Sequence, residues 1–557
     1  MSPSTRIRAL LLAAALAPAA QAQVLHAFSG TQPAERLGWA LADPGDVDGD
    51  GVPDVAIGVP FAPLGSVQVG CVELRSGADG ALLATIDGDA ALDHAGWSLA
   101  TLGDLDGDGR SELAVGLPDS DLAAGDAGAV RVVSVATGSV LRQHLGSSAG
   151  EGLGSALAAA GDTDGDGVCD LLLGAWRAGA QAGRVELRSG KTGALLRTHA
   201  GAAPGDRFGI ALAGLGDVDG DGRSDYAIGA DQEGTGRGTV RVLSGATGAT
   251  LRVHVGALAG DALGAALVGL GDVDSDQVPD YALGAPLALG AAGEVRVVSG
   301  ASGALVRVLQ GTQAGGELGR SLAGGFDLDQ DGAGDVLAGA PFDAGGKGGV
   351  HAWSAATGAA LASWSGSAGG DRFGQAVGVL DDLDGDGRVE LAIGAPREDL
   401  GALDAGVARV VSGAGGCLPL PYCTAKTNSL GCVPAIDWSG SPTLSGADDF
   451  VLLCRDVLNN KPGVVFFGLT PSSLPAQGGT LCGAPPLKRG SVISSGGNPP
   501  PDDCSGVFAS PLTQAFLAAQ GWSAGTTVHA QFWSRDPSHS DGTGVNLSDA
   551  LRIQLCP

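Results

Sequence analysis

The residues of this chain best placed to do chemistry are carboxylates. In Asp217-Val-Asp219-Gly-Asp221-Gly222-Arg-Ser-Asp225 they stand at positions 1, 3, 5 and 9, with a glycine at position 6. Alternate residues of a tight loop point inward, so the first three carboxylates converge, and Gly222 permits the positive φ that folds the loop back. A backbone carbonyl at position 7 and the carboxylate at position 9 complete a cage of oxygen atoms. Oxygen donors on an adaptable loop suit Ca²⁺ better than Mg²⁺, which demands octahedral geometry and keeps its waters. Four carboxylates this close repel one another when no cation is bound, so metal is expected to contribute to folding.

The pattern occurs seven times. The expected ligands are Asp46, Asp48, Asp50 and Asp54; Asp104, Asp106, Asp108 and Glu112; Asp162, Asp164, Asp166 and Asp170; Asp217, Asp219, Asp221 and Asp225; Asp272, Asp274, Asp276 and Asp280; Asp327, Asp329, Asp331 and Asp335; and Asp382, Asp384, Asp386 and Glu390. Successive loops start 58, 58, 55, 55, 55 and 55 residues apart, a register that unrelated acidic turns would not keep. Up to seven structural Ca²⁺ are therefore expected. In the fifth loop Gln277 replaces the position-6 glycine and must strain or reshape the turn, which marks that site as the weakest. An EF-hand needs an acid at position 12. Here Ile57, Val115, Leu173, Ile228, Leu283, Ala338 and Ile393 occupy it, and flanking helices are missing.

These loops explain the charge. Four acids in each of seven loops make 28 of the 61 acidic residues, and seven Ca²⁺ would take the formal charge from −29 to −15. No basic patch is present, which disfavours a nucleic-acid partner. Residues 1–22 read as a secretory signal peptide, with Arg6 and Arg8 at the charged start, an apolar stretch over 9–17 and Ala20-Gln-Ala22 for cleavage. No cysteine follows that site, which argues against a lipid anchor there. No later segment reaches about 18 apolar residues, so no membrane span is expected in the mature chain. Of nine cysteines, seven lie between Cys417 and Cys556, as suits a disulfide-stapled region in an oxidising, secreted or cell-surface setting.

The elements that position the loops follow the same period. In the fourth copy, short strands are expected at Leu195-Leu-Arg-Thr-His-Ala200, Phe208-Gly-Ile-Ala-Leu-Ala213, Asp225-Tyr-Ala-Ile-Gly229-Ala and Thr239-Val-Arg-Val-Leu-Ser244, the last with period-2 alternation. Four strands per unit, no helical periodicity and glycine turns throughout describe one propeller blade, and seven units fit a closed ring. The small residues of the second strand suit the crowded axis. After the last valine-rich strand, Gly416-Cys-Leu-Pro-Leu-Pro421 cannot supply a fourth strand, because two prolines forfeit ladder donors. Val24-Leu-His-Ala-Phe-Ser29, at the other end of the repeats, is therefore expected to complete the seventh blade beside 407–412.

The fold class expected is all-β: a seven-bladed β-propeller over 23–416, then a cysteine-rich, β-sandwich-like domain over 417–557. Seven cysteines there allow at most three internal bridges. Short loops favour pairing Cys423 with Cys432 and Cys482 with Cys504. Cys71 and Cys169, in different blades, are expected to be free, buried thiols.

The repeats resemble the FG-GAP repeats of the integrin α-subunit N-terminal propeller. The first element stands as Leu37-Gly38, Ala95-Gly96, Leu153-Gly154, Phe208-Gly209, Leu263-Gly264, Leu318-Gly319 and Phe373-Gly374. The second stands as Gly58-Val-Pro60, Gly116-Leu-Pro118, Gly174-Ala-Trp176, Gly229-Ala-Asp231, Gly284-Ala-Pro286, Gly339-Ala-Pro341 and Gly394-Ala-Pro396. Integrin α-subunits carry metal loops in only some blades, whereas all seven have one here, and no ligand-binding domain is inserted between blades. The resemblance implies a non-catalytic role in adhesion or extracellular recognition, with a protein or glycan ligand on the face opposite the calcium loops. The alternatives are a carbohydrate-binding or enzyme-associated propeller, glycan- or phospholipid-acting, and a passive envelope or matrix component.

Other constellations are weaker. Gly146-Ser-Ser148-Ala-Gly150 matches a hydrolase nucleophile elbow, but no helix follows and Gly366-Ser-Ala-Gly369 fills the same place later, so it reads as a blade connection. His144, His199 and His254 recur on equivalent strands, too far apart to share an ion, and read as solvated outer-strand residues. Arg142, Arg197, Arg252 and Arg307 form a similar column, expected to pair with surface acids. Trp438, Trp522 and Trp533 could stack on sugars, but core packing suits a small domain better. No enzyme activity is expected.

Overall fold

The computed structural model describes residues 24–557 except 330, 386, 401, 414–419, 423, 424, 440–449, 477, 478, 499, 500, 523–525, 556 and 557. The expected signal peptide, Asp386, Cys417, Cys423 and Cys556 lie outside the described residues.

The apolar run after each acid loop becomes the second strand of a four-stranded antiparallel sheet. Asp170–Ala175, Asp225–Ala230, Asp280–Ala285 and Asp335–Ala340 are buried at every position. Full burial follows from packing between two neighbouring sheets, so these strands are apolar on both faces rather than alternating. In the third blade the order from axis to rim is Ala156–Gly161, Asp170–Ala175, Arg184–Arg188 and Leu195–Ala200. Seven such sheets form. Their innermost strands, Leu41–Ala42, Leu99–Thr101, Ala156–Gly161, Leu212–Gly216, Ala266–Gly271, Ser321–Phe326 and Ala376–Leu380, each touch the next, and the last touches the first. The repeats thus build a closed seven-bladed propeller.

The closing strand is where the sequence places it. Val24–Ser29 pairs antiparallel with Val407–Val411 and completes the seventh blade. Ring closure removes the open edge that would otherwise invite association. Blade-to-blade packing is mostly apolar: Leu172, Val185 and Leu187 of the third blade meet Phe208, Tyr226 and Ile228 of the fourth.

One expected strand is displaced. The fourth blade's inner strand runs over Leu212–Gly216, not from Phe208. Phe208-Gly209 forms a turn ahead of it, with Gly209 at φ 85° donating its N–H to Gly229 O at 2.8 Å. The two glycines of each repeat have a shared cause. A Cβ on Gly58, Gly116, Gly229, Gly284 or Gly339 would collide with the carbonyl oxygen of Gly96, Gly154, Gly264, Gly319 or Gly374 in the next blade. Gly394 of the last blade makes the same contact with Gly38 of the first. Both motif glycines are thus points where adjacent backbones nearly touch.

The chain divides into two compact units, 22–415 and a second holding 416–557. In the second, Val545–Gln554, Thr527–Arg535 and Pro462–Gly468 are the middle of a six-stranded sheet, and Ala435–Ser439, Val451–Val457 and Gly506–Pro511 form a three-stranded one. Their inner faces share one core that includes Leu452, Val465, Phe508 and Phe532, as in a sandwich. Trp522 is buried against Phe467 and Phe516, and Trp438 packs on the same core, while Trp533 is half-buried.

Both guessed disulfides are corrected, because Cys432 is bonded to Cys504, with Cα atoms 6.4 Å apart. Their strands both run antiparallel to Val451–Val457, so the two cysteines enter the sheet at the same end. Sheet order, not loop length, sets this pairing. Cys71 and Cys169 are free thiols; Cys71 is buried, whereas Cys169 is only half-buried.

Candidate metal centres and the opposite face

Every acid loop joins the inner strand of a blade to its second strand, so all seven sit on one face of the propeller. In the first loop the backbone wraps around Asp46. Its Oδ1 accepts the Gly49 N–H at 2.6 Å and its Oδ2 the Gly51 N–H at 2.9 Å. Asp48 Oδ1 accepts the Asp50 N–H, and Asp50 Oδ1 accepts the Val52 N–H. Asp48 and Asp50 thus each use one oxygen to shape the loop and keep the other for a cation. The fourth loop repeats these bonds at Asp217, Asp219 and Asp221. Ligand-type oxygens of Asp46, Asp48 and Asp50, of Asp104, Asp106 and Asp108, and of Asp272, Asp274 and Asp276 lie within 4.8 Å of one another. In the third and fourth loops the close sets are Asp162, Asp164 and Asp170, and Asp217, Asp219 and Asp225. The donor set fits a hard divalent cation.

The position-9 acids do more than the sequence suggested. Asp54, Glu112, Asp170, Asp225, Asp280, Asp335 and Glu390 are all at most 1% exposed. Asp225 Oδ2 accepts the N–H groups of Val218 and Asp219 at 2.9 and 3.2 Å, and its Oδ1 accepts that of Gly245 at 2.8 Å. Asp54, Asp170 and Asp280 reach Gly77, Gly190 and Gly300 in the same way. These four acids therefore tie their loops to the turn between the third and fourth strands. A Cβ on those glycines would collide with a backbone carbonyl, which is why the turn begins with glycine. The sixth blade has Ala355 there instead, and Asp335 Oδ1 is left buried without a hydrogen-bond partner. Glu112 Oε1, opposite Val135, is in the same state. Such orphaned carboxylate oxygens are costly unless a cation takes them. Burial pushes the Asp225 carboxyl up to about 6 and the Asp335 carboxyl up to about 7.

The fifth loop keeps its shape. Gln277 holds φ 71° and donates its N–H to Asp272 Oδ2 at 2.8 Å, the distance Gly222 makes to Asp217. Ser275, at position 4, is left-handed too, with φ 66°. The loop is therefore strained at two residues rather than reshaped.

Neighbouring loops are tied by arginine. Arg110 donates to Val47 O of the preceding loop, and Arg388 donates to Leu328 O at 3.0 Å. Both stand at position 7, as does Arg223, whose guanidinium lies against Gly165 of the third loop.

Two columns read from the sequence behave differently from expectation. Arg142, Arg197, Arg252 and Arg307 do not pair with acids. They donate to the carbonyls of Lys191, Ala246, Ala301 and Ala356, in the turn of the next blade. Of the histidines, His144 is buried, whereas His199 and His254 are half-buried. His199 and His254 hydrogen-bond the hydroxyls of Tyr226 and Tyr281 at 2.7 and 2.8 Å, and burial lowers His144 to about 4. Ser147 Oγ bonds Glu151 in a blade connection, as the missing helix and the later repeat implied.

On the opposite face the repeats diverge. Phe61, Trp39, Trp97 and His94 form an aromatic cluster, with Trp39 and Trp97 centroids 4.8 Å apart. Arg177 pairs with Asp119, which His94 also bonds, and Arg207 pairs with Asp231 at 3.2 Å. Arg36, Arg207 and Arg372, each just ahead of a motif pair, have φ of 59°, 60° and 57°. Nothing in the period of the acid loops pointed to these residues.

Comparison with known proteins supports the repeat assignment. The FG-GAP repeat model matches residues 38–70, 95–133, 208–243 and 373–411. The chain is 34% identical to integrin alpha-PS2 of Drosophila melanogaster over 227 residues, 36% of this chain and 16% of that protein. It is 29% identical to integrin alpha-V of Gallus gallus over 210 residues, 35% of this chain and 20% of that one. Integrin alpha pat-2 of Caenorhabditis briggsae matches at 32% over 177 residues, 27% of this chain and 14% of that protein. The matched stretch thus spans a fifth or less of these relatives. FG-GAP repeats are thus found at four positions of the 22–415 unit, which is similar there to the propeller of integrin α-subunits.

Proposed function

We propose that this protein is a secreted, calcium-stabilised propeller that acts without catalysis in adhesion or extracellular recognition. The observation that carries the reading is the ring of acid loops on one face of a propeller whose repeats are similar to those of integrin α-chains. Ca²⁺ would be held by the carboxylates at positions 1, 3 and 5, the carbonyl at position 7 and the acid at position 9. Bound there, it would neutralise the clustered charge and lock each loop against its blade. The acids that could perform chemistry are thereby committed to structure. The varied face across the disc is left to meet the ligand. The cysteine-rich unit is proposed as a separate, disulfide-stapled domain, and residues 1–22 as the signal that exports the chain.

The test is binding of the purified mature protein to arrays of glycans and matrix proteins, with and without EDTA. The reading requires selective, chelator-sensitive binding. Turnover of a bound glycan or lipid would contradict it.

A further inference from the structure

Several arginines on the face opposite the acid loops are in no ion pair among the described residues. Arg131, Arg184, Arg188, Arg241, Arg296 and Arg409 are all in ion pairs. Among the described residues Arg36, Arg372 and Arg397 are in none, although the chain carries 61 acids against 32 lysines and arginines. Two of them are braced by rings. The Arg36 guanidinium lies 4.6 Å from the Phe61 centroid and 5.9 Å from that of Trp39, and Arg372 lies 5.0 Å from Phe342. Stacking fixes the plane of a guanidinium and leaves its edge donors for a planar or tetrahedral anion. Arg36 Nε is buried without a hydrogen-bond partner.

The three arginines act on one another. Arg372 is held below its ordinary pKa by burial, then by the charges of Arg397, Arg36 and Arg320, with Glu317 opposing. Asp404 offsets Arg36, and Asp371, Glu398 and Asp399 line one pocket with Arg397, where Glu398 is already paired with Arg409. Beside Arg36, half-buried Trp39 and Trp97 offer aromatic faces.

We propose that this rim binds an anionic polysaccharide, with Arg36, Arg372 and Arg397 holding its acidic groups and Trp39 and Trp97 stacking on its sugar rings. The aromatic platform favours a sugar over an acidic peptide, which would need only the cations. Uronate and sulfate share the required chemistry. The inference rests on the recognition reading above and names its partner class.

The experiment is surface binding of the whole mature protein, in calcium, to polygalacturonate and to dextran sulfate. Neutral dextran and poly-glutamate serve as references. One or both anionic polysaccharides should bind, at least about tenfold more tightly than poly-glutamate, and which one binds identifies the acidic group. R36Q/R372Q should weaken binding at least about tenfold, and R36K/R372K should restore it only in part because lysine lacks the fork. Should the double variant misfold, R397Q carries the test, since Arg397 is in no ion pair among the described residues, and it should still weaken binding several-fold. No binding to either polysaccharide, equal binding to poly-glutamate, or unchanged binding by well-folded variants would overturn the proposal. Selective array binding alongside such a result would leave the recognition reading standing, whereas silence on the arrays would remove both.

Discussion

On one face of the propeller, Asp46, Asp104, Asp162, Asp217, Asp272, Asp327 and Asp382 open seven loops of one design. On the other, the position ahead of each motif pair holds Arg36, His94, Gly152, Arg207, Ala262, Glu317 and Arg372. Both faces grow from the same strands, since the second strand of each blade runs from one to the other. Uniformity marks what every blade needs in order to fold. Divergence at a fixed backbone position marks where the blades are released from that need and a ligand can be met.

The largest effect should come from breaking the ring that carries both faces. Deleting residues 23–30 removes the outer strand of the seventh blade and exposes the edge of Val407–Val411. The deletion protein should unfold less cooperatively and associate, as light scattering and a melting curve will show. A monomer with an unchanged melting curve would mean that the strand is dispensable.

Within the loop face, the buried and exposed acids should separate. Asp225→Ala strands the N–H groups of Val218, Asp219 and Gly245, at a cost of about 3–5 kcal/mol even without calcium. Asp221→Ala should change the metal-free stability by less than about 1 kcal/mol, while removing the calcium response of its own loop. Denaturant titrations in EDTA and in calcium distinguish the two roles. Equal effects in EDTA would merge them.

The buried acids also set a pH trend. The native carboxyls of Asp225 and Asp335, at about 6 and about 7, lie above the unfolded value. The native state therefore holds more protons, and metal-free stability should fall as pH rises from about 4 to 7. Saturating calcium should reverse the trend, because its ligands must be deprotonated. Melting temperatures at pH 5 and pH 8, with EDTA and with calcium, give the sign directly.

The smallest effect is local. Ser275→Gly and Gln277→Gly should each stabilise the fifth loop by about 1 kcal/mol, because glycine adopts φ of 66° and 71° without a Cβ clash. Urea midpoints would register the gain, and a loss would show that these side chains hold the loop in some other way.

The period-55 acids made the propeller, its loops and even its closing strand readable from the chain. Each is a local pattern repeated in register, and the missing seventh copy of the outer strand has one candidate to fill it. What escaped depends on contacts between blades. Arg197 and its counterparts donate to carbonyls some 48 or 49 residues on, across a gap that no strand periodicity encodes. His199 finds Tyr226 from another strand of the fold. Asp225 read as a ligand because it stands among the expected ligands, and only its burial shows it to be a clamp. Cys432 and Cys504 are 72 residues apart, so a preference for short loops pointed elsewhere.

The most direct test of the metal claim is a calorimetric calcium titration of thoroughly chelated protein, followed by melting at each end of the titration. Several equivalents should bind, up to seven. Each site should add about 2.7 kcal/mol at a hundredfold excess over its dissociation constant, so the melting temperature should rise steeply. Protein stripped of all metal that takes up no calcium and melts at the same temperature with and without it would contradict the loops as calcium centres.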